Sequence, residues 1–141
     1  MSITPELSAT KAGSAVWVDV TMENKTDHDI SVYRENTVDQ GGFVYKTYVW
    51  DEKGAIVPET KFGKRIQDHD TPEERVREPY VIVKSGGDAN LKPGQKITDR
   101  VEVTKLYFLL HPGKYTIQLQ RFDMESKSFL KSNKVTVTVT P

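Results

Sequence analysis

Strict alternation of apolar and polar residues dominates the chain. In "VWVDVTM", Val16, Val18, Val20 and Met22 fall on one face of an extended segment, and polar residues or Trp17 fall on the other. Period-two alternation is typical of antiparallel strands with one buried face and one face in water. The other predicted strands are "KYTIQLQ", "KVTVTVTP", "ITPELSATK", "DISVYR", "FVYKTYVWD", "GAIVPE", "YVIVK" and "QKITDRVEVT".

Tight turns separate these segments. Pro93-Gly94 and Pro112-Gly113 each join a residue of fixed φ to one that tolerates positive φ, as a type II turn requires. Asp51-Glu52-Lys53-Gly54 has the composition of a hairpin connection. Short strands at this spacing predict one all-β domain over residues 1–141, an antiparallel sandwich of seven to nine strands.

Two regions depart from the alternation. "LYFLLHPGKY" has too many crowded apolar residues for one strand face, which predicts a short helical turn that plugs one end of the core. Residues 61–90, approximately, form a long loop insertion. Within it, Thr71-Pro72-Glu73-Glu74 has the composition of a helix start, and "SGGDAN" predicts a flexible turn.

Composition narrows the partners. The 141 residues contain 20 Lys plus Arg and 20 Asp plus Glu, interspersed along the chain, which argues against nucleic acid or an anionic membrane as the main partner. Cysteine is absent, so disulfides and thiolate chemistry are excluded. No apolar run approaches the roughly 20 residues of a membrane span. The first residues lack signal-peptide features, so the chain is either cytoplasmic or an exported domain without its signal peptide here.

The triplet Asp-His-Asp occurs twice, and it raises the question of a metal or catalytic site. The two copies are Asp27-His28-Asp29 and Asp68-His69-Asp70. In an extended strand the two aspartates of a triplet share a face while the histidine points away, so one triplet cannot chelate through all three side chains. Zinc and calcium sites also require other ligand patterns. We interpret both triplets as polar turns and expect no metal and no cofactor.

Catalytic motifs are absent from the sequence. It contains no Gly-x-Ser-x-Gly elbow, no HExxH helix and no phosphate-binding glycine loop. The adjacent pair Glu73 and Glu74 lies at a helix start, where carboxylates ordinarily serve the helix dipole. The chain is therefore predicted not to be an enzyme.

Three aromatic residues are candidates for a binding surface. If Tyr45 and Val49 face inward, then Tyr48 and Trp50 project from the opposite face of their strand, as Trp17 does from its own. Exposed rings on a flat sheet stack on sugars or anchor a protein partner. The alternative, which is the more usual one in sandwiches, reverses the register and makes Trp50 the buried core tryptophan.

The long loop is the second candidate region, since long loops in compact domains are usually functional or disordered. Its mixed charges and one tyrosine suit a polar contact with a protein. The candidate partner-binding residues are Glu73, Glu74, Arg75, Arg77 and Tyr80. The alternative is a solvated insertion that covers an open edge of the sheet.

Several motifs in order resemble a bacterial immunoglobulin-like sandwich. They are "VWVDVTMENKT", "YKTYVWDEKGAIVP", "LKPGQKI", "HPGKYTIQLQ" and "SNKVTVTV", and the block 16–120 is most similar to the bacterial intracellular proteinase-inhibitor domains. The resemblance implies an immunoglobulin-like fold in which Tyr115 occupies the place of a tyrosine corner. The expected function is a non-catalytic interaction domain that binds an unidentified protein through its loops. Alternatives are a proteinase inhibitor whose partner is a protease, and a carbohydrate-binding module. We expect a monomer, with dimerisation through edge strands as the alternative.

Overall fold

A computed structural model describes residues 1–6, 8–35, 45–67, 86–123 and 126–141. These ranges contain ten strands and two short helices, so the chain is all-β as predicted, with more strands than the predicted seven to nine. The strands are β1 Ser2–Pro5, β2 Ala9–Lys11, β3 Trp17–Glu23, β4 Ile30–Glu35, β5 Lys46–Trp50, β6 Gly86–Leu91, β7 Lys96–Glu102, β8 Gly113–Asp123, β9 Ser128–Lys131 and β10 Val135–Thr140. The helices are α1 Lys61–Gln67 and α2 Val103–Leu106.

The strands form three hydrogen-bonded sheets. Sheet A has the order β1-β3-β7, and sheet B has the order β2-β10-β8-β5, with β9 also paired to β8. Sheet C is the pair β4-β6. Every pairing is antiparallel except that of β2 with β10, which is parallel. The first segment of the chain therefore contributes to two sheets, β1 to sheet A and β2 to sheet B.

One core lies between sheets A and B. Val18 and Val20 of β3 and Val101 of β7 are buried from sheet A, and Ile117 and Leu119 of β8 are buried from sheet B. All of them belong to a single apolar cluster. The predicted alternation is confirmed in β3, β8 and β10, where apolar residues enter this cluster and polar ones face away.

Four details of the predicted strand pattern are wrong. "ITPELSATK" is two strands, and "GAIVPE" makes only two isolated bridges, Trp50 with Ile56 and Glu59 with Tyr107. "SGGDAN", predicted to be a flexible turn, supplies most of β6, whose backbone bonds to β4 explain how this glycine-rich segment stays extended. β9 was not predicted, because its "SFLK" is too short to show a period. The predicted strand "YVIVK" and the helix start at Thr71 lie outside the described residues.

The helical turn predicted near "LYFLL" is present, but it begins earlier, as α2 over Val103–Leu106. Leu106, Tyr107 and Leu109 are buried there, so this segment fills one end of the core as expected. Neither helix in the described ranges has the length and apolar content to cross a bilayer.

The first residues of the long insertion cover the free edge of β5. Gln67, at the end of α1, is fully buried, and its Oε1 accepts a 2.7 Å bond from the Thr47 N–H. The Tyr107 hydroxyl donates to the Thr47 carbonyl on the same edge. These side chains satisfy backbone groups that an uncovered edge strand would offer to another chain. The first residues of the insertion therefore act as a cover for the edge of β5, as the alternative interpretation of the long loop expects.

Candidate functional site

Two aromatic side chains lie side by side on the outer face of sheet B. In β5, Thr47 and Val49 are buried, so Tyr48 and Trp50 project to the opposite face, where both are partly exposed. Their ring centroids are 6.1 Å apart and their planes differ by 13°. Large apolar rings are usually buried, so a pair of near-parallel rings held on a sheet surface is a distinctive feature of this fold.

Each of these rings has a lysine amine beside it. Lys46 Nζ lies 5.6 Å from the Tyr48 ring centroid, and Lys134 Nζ lies 5.1 Å from that of Trp50. An ammonium group is attracted to the negative face of an aromatic ring, although the attraction is only about 0.5–1 kcal/mol at exposed sites. The lysines therefore orient the rings weakly. Lys46 Nζ also donates a 3.4 Å bond to the Gln67 carbonyl, with which an anionic ligand would compete.

Uncharged hydrogen-bonding side chains continue this surface across β8 and β10. Tyr48 is paired with Gln118, and Trp50 with Thr116, which is paired in turn with Thr136. Directly paired residues point to the same face of a sheet. The rings are therefore flanked by amide and hydroxyl groups on a continuous flat surface.

Trp17, the third aromatic candidate, does not join this surface. It lies on β3, on the outer face of sheet A, with the guanidinium of Arg100 4.4 Å from its ring centroid. Arg100 is held by Glu6 at 2.7 Å and by Asp19 at 3.6 Å. Trp17 is thus covered by an ion-paired arginine, in contrast to Tyr48 and Trp50.

The expectation that Trp50 is the core tryptophan is wrong. The inward positions of β5 are occupied by Thr47 and Val49, and Tyr45 supplies the large buried ring. The physical reason is a buried polar network that includes the Tyr45 hydroxyl. Because Tyr45 faces inward to join this network, alternation places Tyr48 and Trp50 on the outward face of the strand.

That network joins the two sheets and was not found from the sequence. The Tyr45 hydroxyl donates a 2.7 Å bond to Asp99 Oδ2 on β7 and accepts a 3.2 Å bond from Arg121 Nη1 on β8. Tyr45, Asp99 and Arg121 are respectively 1%, 8% and 6% exposed. Alternation in the sequence could have revealed these two buried charges. Asp99 in "ITDRVEV" and Arg121 in "YTIQLQRFD" fall at positions where the alternation places buried residues.

Burial in this network raises the pKa of Tyr45 well above its ordinary value near 10. Above pH 10 the folded protein keeps this proton while the unfolded chain releases it. The contribution of Tyr45 to stability is therefore complete below pH 10 and falls as the pH rises above 10.

We expect the free energy of unfolding to fall less steeply between pH 9.5 and 11 in Tyr45→Phe than in the unsubstituted protein, measured by urea unfolding. Equal slopes would show that Tyr45 does not contribute; Tyr48→Phe, on the surface, is the control.

The first Asp-His-Asp triplet is a turn organised by a neighbouring buried side chain. Asn24 Nδ2 donates to the carbonyls of His28 and Leu91, each at 2.8 Å, and its Oδ1 accepts from the Thr26 N–H and hydroxyl. Within the exposed triplet, His28 Nδ1 lies 3.1 Å from Asp27 Oδ1, and this hydrogen bond lowers the pKa of Asp27.

The two triplets cannot be compared further, because Asp68, His69 and Asp70 lie outside the described residues. Asp29 accepts a bond from Asn90 Nδ2 at 3.3 Å rather than joining His28. Among the described residues, no three histidine or carboxylate side chains are grouped so as to hold a metal ion.

The candidate loop residues also lie outside the described residues. They are Glu73, Glu74, Arg75, Arg77 and Tyr80.

The residues predicted to have a structural role in turns all lie within the described residues. The Tyr115 hydroxyl donates to the His111 carbonyl at 2.7 Å, the contact that a tyrosine corner makes. Gly94, after Pro93, has φ of 83°, as a type II turn requires. Gly113, after Pro112, has φ of 149° and begins β8, so the type II turn predicted there is wrong.

A scan against protein-family models finds no match, and a search of curated proteins finds none either. The functional argument therefore rests on the geometry of the molecule.

Proposed function

We propose that this chain is a non-catalytic immunoglobulin-like β-sandwich that binds a carbohydrate through the outer face of sheet B. The observation that carries the proposal is the near-parallel pair Tyr48 and Trp50, partly exposed on a flat surface. Sugars present apolar C–H faces to aromatic rings and hydroxyl groups to the side chains around them. Gln118, Thr116 and Thr136 lie where such hydroxyl partners are needed.

The sandwich part of the proposal has its own support. Sheets A and B share one core, the first segment passes from one sheet to the other, and Tyr115 makes a corner contact. These features are all found in immunoglobulin-like sandwiches. The buried ionisable groups Asp99 and Arg121 both bond within the fold, which suits a structural role rather than a catalytic one.

The test is retention of the protein on a panel of soluble polysaccharides by affinity electrophoresis. We expect Trp50→Ala to weaken retention by about five- to 150-fold, since loss of a stacking ring costs on the order of 1–3 kcal/mol. Trp17→Ala, which removes the same side chain from the other sheet, is the matched control and should retain binding within about twofold. Circular dichroism should show both variants folded, because Trp50 lies outside the core.

A protein partner is the second proposal, favoured by exposed apolar side chains near α2. Phe108 and Leu110, which follow α2, are 47% and 63% exposed and line an open groove of about 320 Å³. The loop residues named above would extend such a contact, and a protease is the partner that the family resemblance implies. Inhibition of a serine protease that is lost in Leu110→Ser would favour this proposal over the carbohydrate one.

A further inference from the structure

The lysines of this chain are not evenly distributed over its surface. Outward positions of sheet B, identified by direct pairing, include four lysines on four different strands, and Lys134 adds a fifth amine beside Trp50. The four are Lys11, Lys46, Lys114 and Lys131. The outward strand positions of sheet B in the described ranges contain no carboxylate. Glu52, in the adjacent hairpin, accepts a 2.7 Å bond from the Lys114 N–H at the margin of this surface.

The outer face of sheet A shows the opposite arrangement. Its cations are paired along the register, Arg100 opposite Asp19 and Lys96 opposite Glu23. The ion pairs are formed, at 3.6 Å and 3.5 Å. Although the chain has equal numbers of acidic and basic residues, the cations on the outer face of sheet A are paired with carboxylates, whereas the outer face of sheet B is basic.

We propose that the ligand of the outer face of sheet B is an acidic polysaccharide whose sugar rings carry carboxylates. This inference rests on the proposed carbohydrate function and names its substrate class. It is carried by the placement of one lysine amine beside each ring of the aromatic pair, Lys46 beside Tyr48 and Lys134 beside Trp50. A stacked sugar with a carboxylate attached to its own ring brings the negative charge to the same place.

Charge position favours this polymer over single-stranded nucleic acid. In a nucleotide the sugar separates the phosphate from the base that would stack, whereas here the amines lie 5.1 and 5.6 Å from the ring centroids. The outward strand positions also contain lysine but no arginine, which is the residue preferred for bidentate phosphate recognition. Neutral Gln and Thr side chains between the lysines suit hydroxyl groups.

The test compares two polymers that differ only at the carboxyl group, which is ionised in one and methyl-esterified in the other. The probes are polygalacturonate and its methyl-esterified form, with a thymidine oligonucleotide as a third ligand, and affinities are measured at low and at raised salt. We expect polygalacturonate to bind at least about tenfold more tightly than the ester at low salt, and this advantage to shrink as salt screens the charges. Lys46→Met with Lys134→Met should abolish most of the advantage of polygalacturonate over its ester. Lys96→Met, on sheet A, is the matched control and should change nothing.

Each other outcome overturns the inference in a recognisable way. Equal binding of polygalacturonate and its ester would reject the acidic ligand and leave the carbohydrate function standing. Tighter, lysine-dependent binding of the oligonucleotide would replace the polysaccharide with a nucleic acid. Binding of none of the three probes rejects the acidic ligand, and the wider polysaccharide panel then decides separately whether the carbohydrate function also fails.

Discussion

Replacing Arg121 with methionine is expected to destabilise the fold by about 3–5 kcal/mol, the usual cost of removing one partner from a buried ionic network. Arg121 is 6% exposed and bonds the Tyr45 hydroxyl, which in turn bonds the 8% exposed Asp99 on the opposite sheet. Without the guanidinium, the carboxylate keeps its buried position but loses the nearby positive charge. The free energy of unfolding, measured with urea, should fall accordingly.

The control for Arg121→Met is Lys96→Met, which removes a charge from an exposed strand position. The Lys96 side chain is 62% exposed and lies 3.5 Å from Glu23, so its loss should cost less than about 1 kcal/mol. If Arg121→Met costs no more than Lys96→Met, the network does not stabilise the fold and the explanation for the register of β5 is wrong.

Replacing Gly63 with alanine should destabilise the protein by about 1–2 kcal/mol net, although alanine is the better helix former. Helix propensity alone predicts a gain of about 1 kcal/mol inside α1. A Cβ at this position, however, would overlap the backbone carbonyl of Leu106 on α2, which cannot move aside as a flexible side chain would. The helices must separate, and overpacking of this kind typically costs about 1–3 kcal/mol.

The sign of the Gly63→Ala effect is the measurement, since propensity and packing predict opposite changes. Lys64→Ala, at an exposed position of the same helix, controls for propensity and should be neutral or slightly stabilising. A stabilised Gly63→Ala would show that α1 does not pack closely on α2. It would also weaken the inference that Gln67 is held in place to cover the edge of β5.

The fold class could be predicted because the signal is local and repeated. Alternating valines in β3 and β10 place one face of each strand inward whatever the rest of the chain does. The glycine-rich β6 could not be predicted, because it is extended through its pairing with β4 and not through its own composition. Nor could the cover of the β5 edge, where the Thr47 N–H donates to Gln67, twenty residues later.

Only part of the candidate site could be predicted from the sequence. Alternation showed that Tyr48 and Trp50 share a face but could not show which face was buried, and the usual arrangement in sandwiches pointed the wrong way. The basic character of that face was hidden completely. Lys11, Lys46, Lys114 and Lys131 are far apart in the chain, and only the strand order of sheet B brings them to one surface.

The collection of lysines on the outer face of sheet B shows that a net charge of zero does not exclude a basic surface. The zero net charge and interspersed charges argue against nucleic acid or an anionic membrane as the main partner. The order of strands decides which charged residues share a face. Charges that are interspersed along the chain can therefore be distributed unevenly over the surface. The expectation about nucleic acid stays a prediction, and the oligonucleotide arm of the binding experiment tests it.

The measurement that tests the central claim most directly is amide chemical-shift mapping of the labelled protein, titrated with the polysaccharide from the panel that binds most tightly. The account predicts that shifted amides cluster in β5, β8 and β10, around Tyr48, Trp50 and Gln118. Shifts confined to sheet A or to residues 68–85, or the absence of any ligand-dependent shift, would contradict the assignment of the outer face of sheet B as the binding surface.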